Sequence, residues 1–114
     1  MIPILPNSVA TENSGLLDLG MAVEGKLILE VVDEDAWSGV LKVAGRVTGR
    51  GAAGEAAYGT NLPLVDLSDS TAVAAATGIT AAGLYSVDIS GLEVRIEHTF
   101  TSGEVSVYGE IVTG

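Results

Sequence analysis

The chain has 114 residues, 47% of them hydrophobic, no cysteine, and a formal net charge of -10 from 15 acidic and 5 basic residues. That length fits one domain with its own core, and the missing thiols exclude disulfide staples and thiolate metal sites. A surface this acidic repels phosphate, so no nucleic-acid partner is expected, and no apolar run reaches membrane-helix length, so no membrane partner is expected either.

Residues 1–14 read as an extended N-terminal arm. Ile2, Ile4 and Leu5 are apolar, while Pro3 and Pro6 forbid a central strand and keep the segment extended. The segment lacks the basic region of a signal peptide. It can pack on its own domain or reach a neighbouring subunit. Residues 15–114 form the domain proper.

Gly15 to Met21 predicts a strand, and Lys26 to Asp33 predicts the next. There Leu27, Leu29 and Val31 share one face, with Ile28 and Val32 on the other, so this strand should lie centrally. Asp33 to Gly39 is a charged loop carrying the single Trp37. Val40 to Thr48 alternates cleanly, with Leu41, Val43, Gly45 and Val47 facing one way. Gly49 to Asn61 is a Gly/Ala-rich loop around Tyr58. Leu62 to Leu67 predicts a short edge strand, since Pro63 cannot donate to a ladder. Thr71 to Thr80 reads as a further strand, too short for a stable helix.

The last third, from Gly83, shows three alternations separated by Ser90-Gly91 and Thr101-Ser102-Gly103. Tyr85, Val87 and Ile89 face one way; so do Leu92, Val94, Ile96 and His98; so do Val105, Val107, Gly109 and Ile111. This pattern predicts an antiparallel meander with one dry face and one wet one. The whole reads as all-β: a single antiparallel β-sandwich, jelly-roll-like, of about eight strands.

Three patterns touch on chemistry. Gly49-Arg50-Gly51-Ala52-Ala53-Gly54 matches the letters of the dinucleotide fingerprint, but no helix follows to hold a pyrophosphate. His98 could pair with Ser102 or Asp88, yet no nucleophile elbow is present and its register points inward, so it reads as structural. The acidic clusters Asp33-Glu34-Asp35 and Asp66/Asp69 lack calcium-loop spacing. No catalytic, cofactor or metal residues are therefore assigned, and no enzyme is expected.

The pattern from Ala81 to Ile96 (AAGLYSVDISGLEVRI), followed by Phe100 to Gly109 (FTSGEVSVYG), resembles the C-terminal half of small β-sandwich structural proteins of tailed bacteriophages. Trp37-Ser38-Gly39-Val40-Leu41-Lys42-Val43 resembles an earlier strand of theirs. The resemblance implies a virion protein made in the host cytoplasm. It implies a head decoration, or cement, protein that binds the major capsid protein on the outer capsid surface as a homo-oligomer such as a trimer. Contact residues would be Ile2, Ile4, Leu5 and Tyr58. The alternative is a carbohydrate- or receptor-binding tail module, with Trp37, Tyr58 and Tyr108 as its platform.

Overall fold

Two very long strands organise the molecule. The computed structural model describes residues 2–14, 25–47, 60–89 and 92–112. Its strands are β1 (Ile2–Ser8), β2 (Glu12–Asn13), β3 (Lys26–Val47), β4 (Thr60–Asn61), β5 (Leu64–Asp66), β6 (Thr71–Val73), β7 (Gly83–Asp88) and β8 (Leu92–Val112). All pairings are antiparallel, and no helix occurs among the described residues. β3 and β8, of 22 and 21 residues, pair with each other from end to end.

A straight strand of 22 residues would run to about 70 Å. The longest dimension of the fold is 39 Å, so the β3–β8 pair has to bend over on itself. The bend lies where the ladder is irregular, between Asp33 and Gly39 on β3 and between Phe100 and Val105 on β8. An unbroken ladder continued from Asp33↔Val105 would set Val40 opposite His98; it lies opposite Thr99 instead. That one-residue slip changes which residues of β8 face inward. Val94, Ile96 and His98 are buried before the bend, and Val105 and Val107 after it.

The bend divides the sheet into two halves. In the first, the order is β1-β8-β3-β7-β5-β6; in the second, β2 flanks β8 and β4 flanks β3. Leu27, Leu29 and Val31 from the first half and Leu41 and Val43 from the second join one hydrophobic cluster. The architecture is thus all-β and antiparallel, a single hydrogen-bonded sheet whose two halves share one hydrophobic cluster.

Expectations about strand ends and strand connectivity change: β5 lies between β7 and β6 rather than at an edge, and the strand expected over Thr71–Thr80 ends at Val73. The stretches 33–39 and 101–103 are not hairpin turns but the two sides of one corner, with Asp35 opposite Glu104 and Ser38 opposite Ser102. Polar, Gly-containing sequence serves both purposes, which is why the two look alike. The three C-terminal alternations are not a meander: the second and third are one continuous strand, and β7 pairs with β3 and β5 rather than with β8. The N-terminal segment, read as an extended arm able to pack on its own domain or to reach a neighbouring subunit, is paired into the sheet. Residues 2–8 are paired along β8, and residues 12–13 pair with it across the bend. Pro3 and Pro6 are accommodated because β1 is an edge strand with irregular register. The predicted strand over 15–21 and the loop around Tyr58 lie outside the described residues.

The corner is held by specific chemistry. Ala36 takes a positive φ of 42°, and the Trp37 amide donates to Asp33 Oδ1 at 3.0 Å. Opposite it, Gly103 has φ 79°, a left-handed conformation that glycine adopts without steric cost. A side chain there would run into the backbone carbonyls of Asp35 and Ala36.

Candidate functional site

The polar cluster with the most chemistry sits beside this corner, around His98. The ring is 1% exposed. Trp37 Nε1 donates to His98 Nε2 at 3.0 Å, and His98 Nδ1 lies 2.8 Å from Ser8 Oγ. Ser8 Oγ is also 2.8 Å from Glu12 Oε2. An indole nitrogen can only donate, so His98 Nε2 must accept, and the ring proton sits on Nδ1. The chain of donors then runs one way: Trp37 to His98, His98 to Ser8, Ser8 to the Glu12 carboxylate. Phe100 meets the ring edge-on, with centroids 5.9 Å apart.

Gly39 makes the contact possible. A Cβ there would stand 2.7 Å from the Thr99 carbonyl oxygen, 2.9 Å from Trp37 Nε1 and 3.1 Å from His98 Nε2. The Trp-Ser-Gly sequence therefore brings the indole back over its own strand only because its third residue has no side chain. Burial pushes the His98 pKa below the ordinary histidine value, opposed by the Glu12 charge and the Ala10 carbonyl. The neutral ring is the form this pocket holds.

A serine, a histidine and a carboxylate in contact invite comparison with a hydrolytic triad. The wiring differs. In a triad the imidazole accepts the serine proton and donates to the carboxylate. Here the imidazole donates to the serine, its other nitrogen is taken by Trp37, and the carboxylate accepts from the serine. Ser8 is itself 1% exposed. The arrangement fastens the N-terminal segment to β8; it does not activate a nucleophile. Ser102 and Asp88, the residues first considered as partners for His98, are not its hydrogen-bond partners.

The segment carries further ties. The Ser14 amide donates to the Ile96 carbonyl at 2.8 Å, and the Ile96 amide donates to Ser14 Oγ at 2.8 Å. The Phe100 amide donates to Thr11 Oγ1 at 2.9 Å. Asn7, at φ 50°, donates its amide to Ser106 Oγ and its side-chain nitrogen to Glu104 Oε2.

The contact residues expected from sequence scatter. Leu5 is 4% exposed, inside the chain's own core, and Ile4 packs against that core over Gly109. Ile2 pairs through its backbone with Gly109. Trp37 is buried against His98, because its ring nitrogen finds its partner inside. That burial withdraws it from any sugar-stacking platform. Tyr108 is half-buried on the outward face of β8, opposite Pro3 on one side and Glu30 on the other. Tyr58 and the Gly49–Gly54 fingerprint lie outside the described residues.

Two surface features were not legible in the sequence. Leu67, Leu84 and Val65 are exposed and adjoin one another: the Leu67 amide donates to the Leu84 carbonyl, and Val65 pairs with Ser86 on the same β7 strand. Leu84 also lies opposite Glu30, next in line to Tyr108. A groove of about 430 Å³ is lined by Asp66, Val73, Thr77, Ile79, Ala81 and Tyr85. Two of its polar groups are engaged: the Tyr85 hydroxyl donates to the Ala81 carbonyl, and Asp66 Oδ1 accepts from the Ser68 amide and hydroxyl. Burial pushes the Tyr85 hydroxyl pKa up, and Asp66 and Asp69 add to the effect. Among the described residues, no three His, Asp or Glu side chains converge as metal ligands would. On the second half of the sheet, Arg95 pairs with Glu97 at 2.8 Å.

No protein-family model matches the chain, and no curated protein matches it. Among solved structures it is similar to the crystal structure of the SPBc2 prophage-derived protein YomS. The two share 16% sequence identity and a TM-score of 0.73, over 98% of this chain and 90% of that one. The likeness therefore spans nearly the whole of both chains, and at that identity it establishes a shared fold: the long bent strand pair and its flanking strands are an arrangement also found in a prophage-derived protein.

Proposed function

We propose that this chain is a non-enzymatic structural protein of a tailed-phage particle, binding the outer capsid surface and stabilising the shell. The observation that carries the reading is the near end-to-end fold likeness to a prophage-derived protein. The sequence resemblance of 81–109 to phage β-sandwich proteins points the same way. The inward wiring of Ser8, His98 and Glu12 supports a structural role for the one cluster that looks chemical.

The mechanism is mass action. A protein that binds the assembled shell and not its free subunits raises the free energy needed to disassemble it, by an amount that grows with its concentration over its dissociation constant. With Leu5 and Trp37 committed to the core, the contact surface falls to the outward face of β5, β7, β3 and β8, where Leu67, Leu84 and Tyr108 are accessible. Attachment in small homo-oligomers, such as trimers at lattice symmetry points, fits this role.

The test uses capsids of the phage whose genome encodes the chain, stripped of surface proteins. Added protein should co-sediment saturably and raise the temperature at which the shells disrupt. Absence of both effects at micromolar concentration would overturn the proposal.

A further inference from the structure

The segment from Ser8 to Ser14 is fastened to β8 through a buried imidazole whose two ring nitrogens are both hydrogen-bonded. We propose that the Trp37–His98–Ser8–Glu12 chain is a proton-operated latch, closed at neutral pH and released on acidification, that frees residues 9–14 from β8.

The geometry sets the direction. With His98 neutral, each contact pairs one donor with one acceptor. A proton added at Nε2 sets an N–H against the Trp37 N–H across 3.0 Å. Two donors then face each other in a site where the ring is 1% exposed, and an unpaired buried donor costs its full desolvation. The groups around the ring are Trp37 from β3, Phe100 from β8, Ser8 from β1, the Ala10 carbonyl from the connection, and Glu12 from β2. Glu12 is the charge that acts on the ring and favours the imidazolium, but it reaches His98 only through Ser8. Burial outweighs it, and the native pKa is lowered.

Water reaches the ring most cheaply if β2 lifts. This strand has two residues, both exposed, and pairs only with β8. Val9, just before it, is 57% exposed. Lifting leaves β1 and its Leu5 anchor in place, because β1 pairs with the other half of β8, beyond the bend. The opening takes up one proton, so its equilibrium rises up to tenfold for each pH unit below the ordinary histidine value of about 6.5.

Hydrogen exchange read by mass spectrometry, corrected for the intrinsic pH dependence of exchange, tests this between pH 8 and pH 5. Trp37 fluorescence, from the single Trp of the chain, is recorded in parallel. In the wild type, residues 9–14 should lose protection up to tenfold per pH unit below about 6.5, with Trp37 emission moving to the red and residues 27–31 staying protected. His98→Gln keeps an acceptor for Trp37 and a donor for Ser8 but does not titrate; it should remove the pH dependence. Glu12→Gln withdraws the charge that favours the imidazolium, so the rise should begin at the same pH and continue to lower pH. Unchanged protection in the wild type, a simultaneous loss at 27–31, or the same pH response in His98→Gln overturns the latch. If His98→Gln does not fold, Glu12→Gln decides: a rise ending at the same or a higher pH than in the wild type overturns it.

Discussion

Replacing Gly39 by alanine probes the corner and the His98 cluster at once. The added Cβ would meet the Thr99 carbonyl oxygen at 2.7 Å and Trp37 Nε1 at 2.9 Å. Thr99 is backbone within the β3–β8 ladder, directly opposite Val40, so it cannot retreat without opening that ladder. Trp37 has to move, and with it goes the bond to His98. Overpacking a tight site costs about 1–3 kcal/mol, and leaving a buried donor and acceptor unpaired costs about 1–3 kcal/mol more. The expected loss is thus about 2–6 kcal/mol, out of a total near 6–17 kcal/mol for a chain of this length. In urea, with a slope of about 1–2 kcal/mol/M, the unfolding midpoint should fall by roughly 2 M. A double-mutant cycle with Trp37→Phe sharpens the test. Phenylalanine has no Nε1, so part of the conflict disappears and the two substitutions should couple by at least about 1 kcal/mol. A Gly39→Ala protein within about 0.5 kcal/mol of wild type, or strict additivity with Trp37→Phe, would refute the packing described here.

Further outcomes follow from other parts of the fold. Ile96→Ala, at a position 1% exposed, should cost about 2–5 kcal/mol in urea unfolding; a silent substitution would mean that the register of β8 is wrong. Gly103→Ala should cost at least about 2 kcal/mol, because it combines a positive φ with collision against the Asp35 and Ala36 carbonyls. Deleting residues 1–8 removes buried Leu5 and uncovers the edge of β8. Light scattering should then detect association through that edge, together with a lower melting temperature. Stability should also depend on pH in one sense. Native His98 has a lowered pKa, so the unfolded chain binds more protons than the folded one. Its contribution is complete above about pH 6.5 and declines as pH falls below that value. Urea midpoints between pH 8 and pH 5 should show this decline in the wild type and less of it in His98→Gln.

Face assignment was legible from alternation alone. Leu27, Leu29 and Val31, Leu41 and Val43, Tyr85, Val87 and Ile89, and Val105 and Val107 all point into the core as their period of two requires. Strand connectivity was not. The stretches Asp33–Gly39 and Thr101–Gly103 carry the residues a reversing turn needs, and a corner in a continuous strand needs the same ones: glycine for positive φ, aspartate to cap a free amide. Which of the two forms depends on whether the ladder resumes with the same partner, a contact between residues far apart in sequence. His98 shows the same limit. Its inward register was visible, and a buried polar ring demands partners. Those partners, Ser8 and Trp37, lie 90 and 61 residues away. The two prolines of β1 gave its place at an edge, but not the identity of the strand it covers.

The central claim is attachment to a phage capsid, and occupancy on the native particle tests it most directly. Reconstruction of the phage particles to which the proposal assigns this chain should show its bent-sheet fold on the outer shell, at regular lattice positions. Its outward face around Leu67, Leu84 and Tyr108 should be turned to the shell. Particles that contain no copies of the chain, or that carry it only within the tail, would contradict the claim.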